Sequence, residues 1–93
     1  MDKTKQLTIA KDLILEGRIT EFVDIFNYID RKFIHVETGM NYYRLLRSID
    51  KPNRLSFDDV YNISGILKVP PDRIANLIIN QIENSRHQQT SPV

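Results

Sequence analysis

Gly39-Met40-Asn41-Tyr42-Tyr43-Arg44-Leu45-Leu46-Arg47-Ser48-Ile49-Asp50 is the pattern of a turn followed by a short amphipathic helix. A glycine, an apolar residue and a polar helix cap in succession predict a tight junction between two helices. The helix begins at Asn41, and its apolar residues have the i, i+3, i+4, i+7 spacing of a core-facing stripe: Tyr42, Leu45, Leu46 and Ile49. The outward face then holds Tyr43, Arg44, Arg47 and Lys51.

Two further helices are predicted after this segment. Pro52-Asn53 ends the helix that begins at Asn41, and Ser56 with Asp59 forms the capping box of the next helix. Val69-Pro70-Pro71 predicts a sharp corner, and a last helix runs from about Asp72 to Asn84. The predicted inward residues of these two helices are Val60, Ile63, Ile66, Leu67, Ile74, Leu77, Ile78 and Ile82.

The first 38 residues also have mainly helical periodicity. Apolar residues recur at three- and four-residue steps over 5–17, and Gly17 suits a helix end. Thr20 is the expected cap of a second helix, whose stripe is Phe22, Ile25, Phe26 and Ile29. Asp30-Arg31-Lys32 is interpreted as a break. Residues 31–38 are interpreted as a third helix, although the β-branched content there leaves a short strand or irregular turn open.

These elements predict an all-α fold of five or six short helices. We expect a single helical domain over residues 1–84, followed by a mobile polar tail over 85–93, where apolar periodicity is lost. The length of 93 residues fits one domain with a modest core. No cysteine is present, which excludes disulfides and thiolate metal sites and favours a cytoplasmic protein. Neither a secretory signal nor an apolar run of membrane-spanning length is found, so no membrane association is expected.

Positive charge is concentrated in one segment. The whole chain has a net charge of only +1, with 13 basic and 12 acidic residues. Residues 31–54, however, hold six basic side chains (Arg31, Lys32, Arg44, Arg47, Lys51 and Arg54) and only two acidic ones (Glu37 and Asp50). An excess of positive charge gathered in this way predicts a local anion-binding face.

In the order of these elements the chain resembles the lambda-repressor-like, or XRE-type, helix-turn-helix family. The resemblance covers about residues 31–80 and includes small bacterial members with an extra leading helix. It rests on the turn Gly39-Met40-Asn41, the helix end Arg47-Ser48-Ile49-Asp50, the loop Lys51-Pro52-Asn53-Arg54, the helix capped by Ser56 and the corner Pro70-Pro71-Asp72. His35, Thr38 and Ser48 depart from the family pattern, which has alanine and leucine at the first two places and one residue fewer before Ile49.

The resemblance implies a lambda-repressor-like helix bundle and a sequence-specific DNA-binding transcriptional regulator of bacterial or phage type. Its partner would be double-stranded DNA, with the helix from about Asn41 to Ile49 in the major groove. Arg44 and Arg47 would then bind guanine in the groove, and Asn41 and Tyr43 would contact base edges or phosphate. The side chains that would hold the DNA backbone are Lys51, Arg54, Arg31 and Lys32. In an alternative hypothesis, Arg44 and Arg47 are solvated or form ion pairs with Asp50 and Glu37.

Other functions find less support in the sequence. His35 and His87 are isolated and the three glycines are scattered, so we expect no catalytic residues, metal, cofactor or small-molecule substrate. The rival hypothesis is a protein-interaction module that docks through Tyr42, Tyr43 and the basic rim. An antitoxin-like regulator, whose tail folds on a partner protein, is a further alternative. A homodimer could pair through Ile79 and Ile82 of the last helix.

Overall fold

Capping residues fix most of the helix boundaries. The computed structural model describes residues 3–89, with side chains through Arg86. These residues contain five α-helices and two short 3₁₀ helices and no strand, which confirms the all-α prediction. The elements are α1 (Lys3–Leu15), a first 3₁₀ helix (Phe22–Asn27), α2 (Arg31–Thr38), α3 (Tyr42–Asp50), a second 3₁₀ helix (Pro52–Arg54), α4 (Phe57–Leu67) and α5 (Pro71–Gln89).

The first helix ends as its glycine indicates. α1 stops at Leu15, and Gly17 has a φ of 75°, a left-handed conformation that carries little penalty without a Cβ. The backbone N–H groups of Arg18 and Ile19 both donate to the Leu13 carbonyl, at 2.9 and 3.2 Å, so the chain closes over the helix end. Within the predicted apolar stripe, Ala10 and Ile14 are buried, whereas Ile9 and Leu15 are exposed.

The predicted second helix is a 3₁₀ helix, and its cap is Glu21 and not Thr20. The Glu21 N–H donates to the Asp24 carboxylate at 3.3 Å. The expected stripe is nevertheless confirmed, since Phe22, Ile25 and Ile29 are buried and Phe26 is half-buried. The Tyr28 N–H donates to the Ile25 carbonyl at 3.0 Å, and this i→i+3 bond closes the last turn of the 3₁₀ helix.

Residues 31–38 form a helix and not a strand or irregular turn. Asp30 caps it by accepting a hydrogen bond from the Lys32 N–H at 3.3 Å. The predicted break at Asp30-Arg31-Lys32 is therefore wrong for Arg31 and Lys32, which form the first turn of α2. The helix can begin directly after Asp30, because the side chain of this residue satisfies a free N–H group of the first turn.

The capping box of α4 and the proline corner are both confirmed. The Asp59 N–H donates to Ser56 Oγ at 3.1 Å, and the Ser56 N–H donates back to the Asp59 carboxylate at 3.0 Å. Lys68 ends α4 with a φ of 58°, and Pro71 starts α5. The last helix was expected to end at Asn84 but continues through Gln89, so residues 85–89 are helical and do not form a tail. Glutamine and arginine, which occur in this segment, have high helix propensity. The rest of the predicted tail, 90–93, lies outside the described residues.

The core runs through every α-helix. α4 packs against α1, α2 and α5, and α5 also packs against both 3₁₀ helices. The largest fully buried side chains are Phe22, Ile25, Ile29, Ile34, Leu45, Ile63, Leu67 and Ile74. Ile66 and Ile82, which were predicted to face inward, are only partly buried at the edge of this core. α3 is held against α2 and both 3₁₀ helices, which leaves one side of it uncovered.

Candidate nucleic-acid interface

The turn before α3 is held by its own side chains. Gly39 has a φ of 74°, and its N–H donates to the His35 carbonyl at 3.0 Å. Thr38 Oγ1 donates to the Ile34 carbonyl at 2.6 Å and accepts from the Met40 N–H at 3.2 Å. His35 Nδ1 contacts the Met40 carbonyl, which requires a proton on that nitrogen. Two residues that depart from the family pattern, His35 and Thr38, are therefore the ones that fix this turn.

α3 presents the predicted faces except at Tyr42, and Leu46 of the predicted core face is only partly buried. Asn41 caps the helix by accepting the Arg44 N–H at 3.1 Å, as expected. Leu45 and Ile49 are buried, while Tyr43 is 70% exposed. Tyr42 was predicted to face the core, but it lies at the rim, 36% exposed, with its ring edge-to-face with His35 at 5.4 Å between centroids. The core side of this turn is already filled by Met40 and Ile34, both buried.

Arg44 forms an ion pair with a residue that is distant in the sequence. Its guanidinium donates to the carboxylate of Asp59, and not to Asp50 or Glu37 as the alternative reading supposed. Asp59 is 6% exposed and also accepts the Ser56 N–H, so its position is set by the α4 cap. The Arg44 side chain is 45% exposed and therefore remains accessible to a ligand.

Three arginines surround one open pocket. Arg44, Arg47, Ser48 and Arg54 line a concavity of about 350 Å³ beside α3. The first three are at i, i+3 and i+4 on one face of the helix, and Arg54 reaches it from the second 3₁₀ helix. Pro52 is buried and anchors that short element. Ser48 is fully buried and donates to the Arg44 carbonyl at 2.8 Å, so the residue that departs from the family pattern forms the floor of the pocket.

The other predicted contact residues do not line this pocket. Lys51 lines a separate pocket of about 250 Å³, together with Asp50, Pro52, Asn53, Gln81, Ile82, Ser85 and Arg86. Arg31 and Lys32 are exposed in the first turn of α2. Asn41 and Tyr43 are exposed at the start of α3. The structure thus brings three of the eight predicted residues into one pocket, and the other five lie outside it.

Two polar residues with a role in the site were missed in the sequence. Asp59 was recognised as a cap but not as the partner of Arg44. Gln81 is 8% exposed and bonds the Val23 N–H through Oε1 and the Ile49 carbonyl through Nε2, each at 2.8 Å. A polar residue within the apolar stripe of the last helix, following Leu77 and Ile78, was the available signal for Gln81.

Comparison of the chain with protein-family models, with curated proteins and with solved structures gives no match. The helix-turn-helix resemblance therefore rests on the sequence motifs alone and stays a prediction. Between residues 3 and 89, none of the helices combines the length and the apolar character that crossing a membrane requires. Within the same part of the chain, no three His, Asp or Glu side chains converge in a way that could hold a metal ion.

Proposed function

We propose that this protein binds double-stranded DNA sequence-specifically through the exposed face of α3 and acts as a transcriptional regulator. The observation that carries the proposal is the pocket lined by Arg44, Arg47 and Arg54 beside α3, a helix of nine residues with one exposed face. Arginine is the side chain best suited to bind phosphate and base edges, because its planar fork offers paired donors.

The geometry of the turn also favours this function. α2 and α3 meet through a left-handed glycine and an asparagine cap, the junction that a helix-turn-helix unit requires. α3 is buried on one side only, so its outer side is open to a duplex. The finer parts of the proposal, namely a bacterial or phage-type regulator in the cytoplasm that works as a homodimer, rest on the family resemblance. Ile79, which is exposed on α5, is the candidate for the dimer contact.

DNA titration at two salt concentrations tests the proposal. If the four cationic side chains of α3 and its following loop together neutralise two to four phosphates, affinity for a duplex should fall about 10- to 100-fold between about 50 and about 200 mM salt. A selection from random duplexes should then enrich a defined sequence. No binding at the lower salt concentration would refute the proposal.

The choice of variant matters because Arg44 also has a structural role. Replacing Arg44 leaves the buried Asp59 carboxylate without its partner, so a loss of binding could reflect unfolding. Arg47 and Arg54 form no salt bridge within the described residues, which makes Arg47→Ala with Arg54→Ala the better double variant. A double variant of Arg18 and Arg73, which are exposed and do not line the arginine pocket, removes the same charge and should bind normally.

A protein-interaction module is the second candidate, and exposed aromatic side chains favour it. Phe57 is 84% exposed and Tyr61 is 62% exposed, and they are four residues apart on one face of α4. Tyr43 adds a third exposed ring on α3. Exposed aromatic rings beside arginine are typical of protein interfaces. This candidate predicts that the protein does not bind duplex DNA at either salt concentration.

A further inference from the structure

We infer that the pocket of Arg44, Arg47, Arg54 and Ser48 binds a single phosphate group. The identity of that group rests on the proposed function, under which it is a phosphate of the DNA backbone. Arg44 and Arg47 are then phosphate ligands and not readers of bases, which differs from the role that their place on α3 first suggested.

The shape of the pocket supports one anion held from several sides. Arg44 and Arg47 approach from α3 and Arg54 approaches from the second 3₁₀ helix, so the donors come from two separate elements. The concavity is open to solvent on its outer side and is closed beneath by the buried Ser48. A phosphate group, with acceptor oxygens pointing in several directions, can use donors arranged in this way.

The charges in and around the pocket fit the same ligand. Three guanidinium groups around one concavity repel one another, and the adjacent Asp59 carboxylate neutralises only one of them. The residual charge of about +2 is not balanced by a second acidic side chain lining the pocket. A bound phosphate would relieve this repulsion.

The ion pair to Asp59 determines what Arg44 can reach. The carboxylate lies in the first turn of α4 and is fixed by the capping box, so it holds the Arg44 guanidinium towards α4. An arginine that contacts a base must instead extend away from its own helix to the base edges at the floor of the DNA major groove. Arg44 is thereby oriented in advance for a ligand at the rim, where the DNA backbone lies. Sequence discrimination then falls to Asn41 and Tyr43, which are exposed at the start of α3.

Inorganic phosphate is the probe for the pocket itself. In an NMR titration at constant ionic strength, with chloride as the balancing anion, the Nε–H signals of Arg44, Arg47 and Arg54 should shift together and saturate. Arg47→Gln and Arg54→Gln should each weaken phosphate binding about tenfold. Arg18→Gln, which removes the same charge from the turn after α1, should leave the titration unchanged.

Duplex DNA tests whether the phosphate belongs to a nucleic acid. Arg47→Gln together with Arg54→Gln should reduce the slope of log affinity against log salt by about 0.9, because the pocket then has no net charge with which to neutralise its one phosphate. The factor by which affinity falls should be the same for every duplex sequence. Asn41→Ser, which keeps an oxygen to cap α3, and Tyr43→Ala should instead change the preferred sequence and leave the salt slope unaltered.

The two assays separate failure of this inference from failure of the proposed function. Phosphate binding without DNA binding would support the pocket and overturn its assignment to DNA. DNA binding without phosphate binding would overturn the pocket and leave the proposed function standing. A sequence-dependent loss of affinity in Arg47→Gln would also overturn the inference, because it would make this arginine a base reader.

Discussion

Replacing Gln81 should destabilise the protein more than any other single polar substitution in α5. The side-chain oxygen of Gln81 accepts the Val23 N–H of the first 3₁₀ helix, and its nitrogen donates to the Ile49 carbonyl in the last turn of α3. Ile49 lies in that part of a helix whose carbonyl groups have no partner within the helix. Gln81 therefore ties α5 to the end of the helix that carries the arginine pocket.

The magnitude for Gln81→Leu follows from these two bonds. The Ile49 carbonyl is buried, and leaving it without a donor costs about 1–3 kcal/mol, while the part-buried Val23 N–H loses a bond of about 1 kcal/mol. Burial of the leucine side chain increases the free energy of unfolding by about 1 kcal/mol. The free energy of unfolding should fall by about 2 kcal/mol, which corresponds to a Tm lower by about 8–16 °C in a domain of this size.

Thermal unfolding followed by circular dichroism measures this effect. Asn80→Leu is the matched control, because the neighbouring Asn80 makes one exposed hydrogen bond to the Thr20 carbonyl, at 3.1 Å. It should change stability by less than about 0.5 kcal/mol. Equal Tm values for the two variants, or a Gln81→Leu protein more stable than the wild type, would refute the proposed role of Gln81.

Three further predictions concern the turn, the helix end and the ion pair. Gly39→Ala should cost about 1 kcal/mol, and only through backbone strain, since a Cβ there meets no atom within 4 Å. Lys68→Gly should stabilise the protein by up to about 1 kcal/mol, because Lys68 already has a left-handed φ of 58°. Urea unfolding measures the change in the free energy of unfolding for both variants, and a change in the same direction in both would contradict the explanation. Asp59→Asn should lower stability by about 1–3 kcal/mol, because Arg44 loses its ionic partner. It should also tighten phosphate binding, since the amide oxygen can still accept a hydrogen bond from Arg44 while the charge that offsets this arginine is gone; weaker binding in a folded variant would count against the charge argument.

Local patterns in the sequence determined most of the helices. Glycine at 17 and 39, the caps Asn41 and Ser56, and the proline corner act within one helical turn, so their effects can be predicted without knowing the fold. The i, i+3, i+4 spacing of apolar residues likewise predicted which side of α3 is buried, apart from Tyr42. The sequence did not show that the second predicted helix is a 3₁₀ helix, because short 3₁₀ and α-helical segments have similar spacing of apolar residues.

Only the tertiary structure decided how the basic residues are used. The sequence placed Arg44 and Arg47 on one face, but Arg54 joins them because the second 3₁₀ helix folds back on its buried proline. The partner of Arg44 is fifteen residues away, and the partners of Gln81 are 31, 32 and 58 residues away. Such contacts depend on how α3, α4 and α5 pack together, and no periodicity within a single helix encodes them. The sequence by itself determined that a basic, amphipathic helix follows a tight turn. Only the packing of the helices brought Arg44, Arg47 and Arg54 to a single pocket.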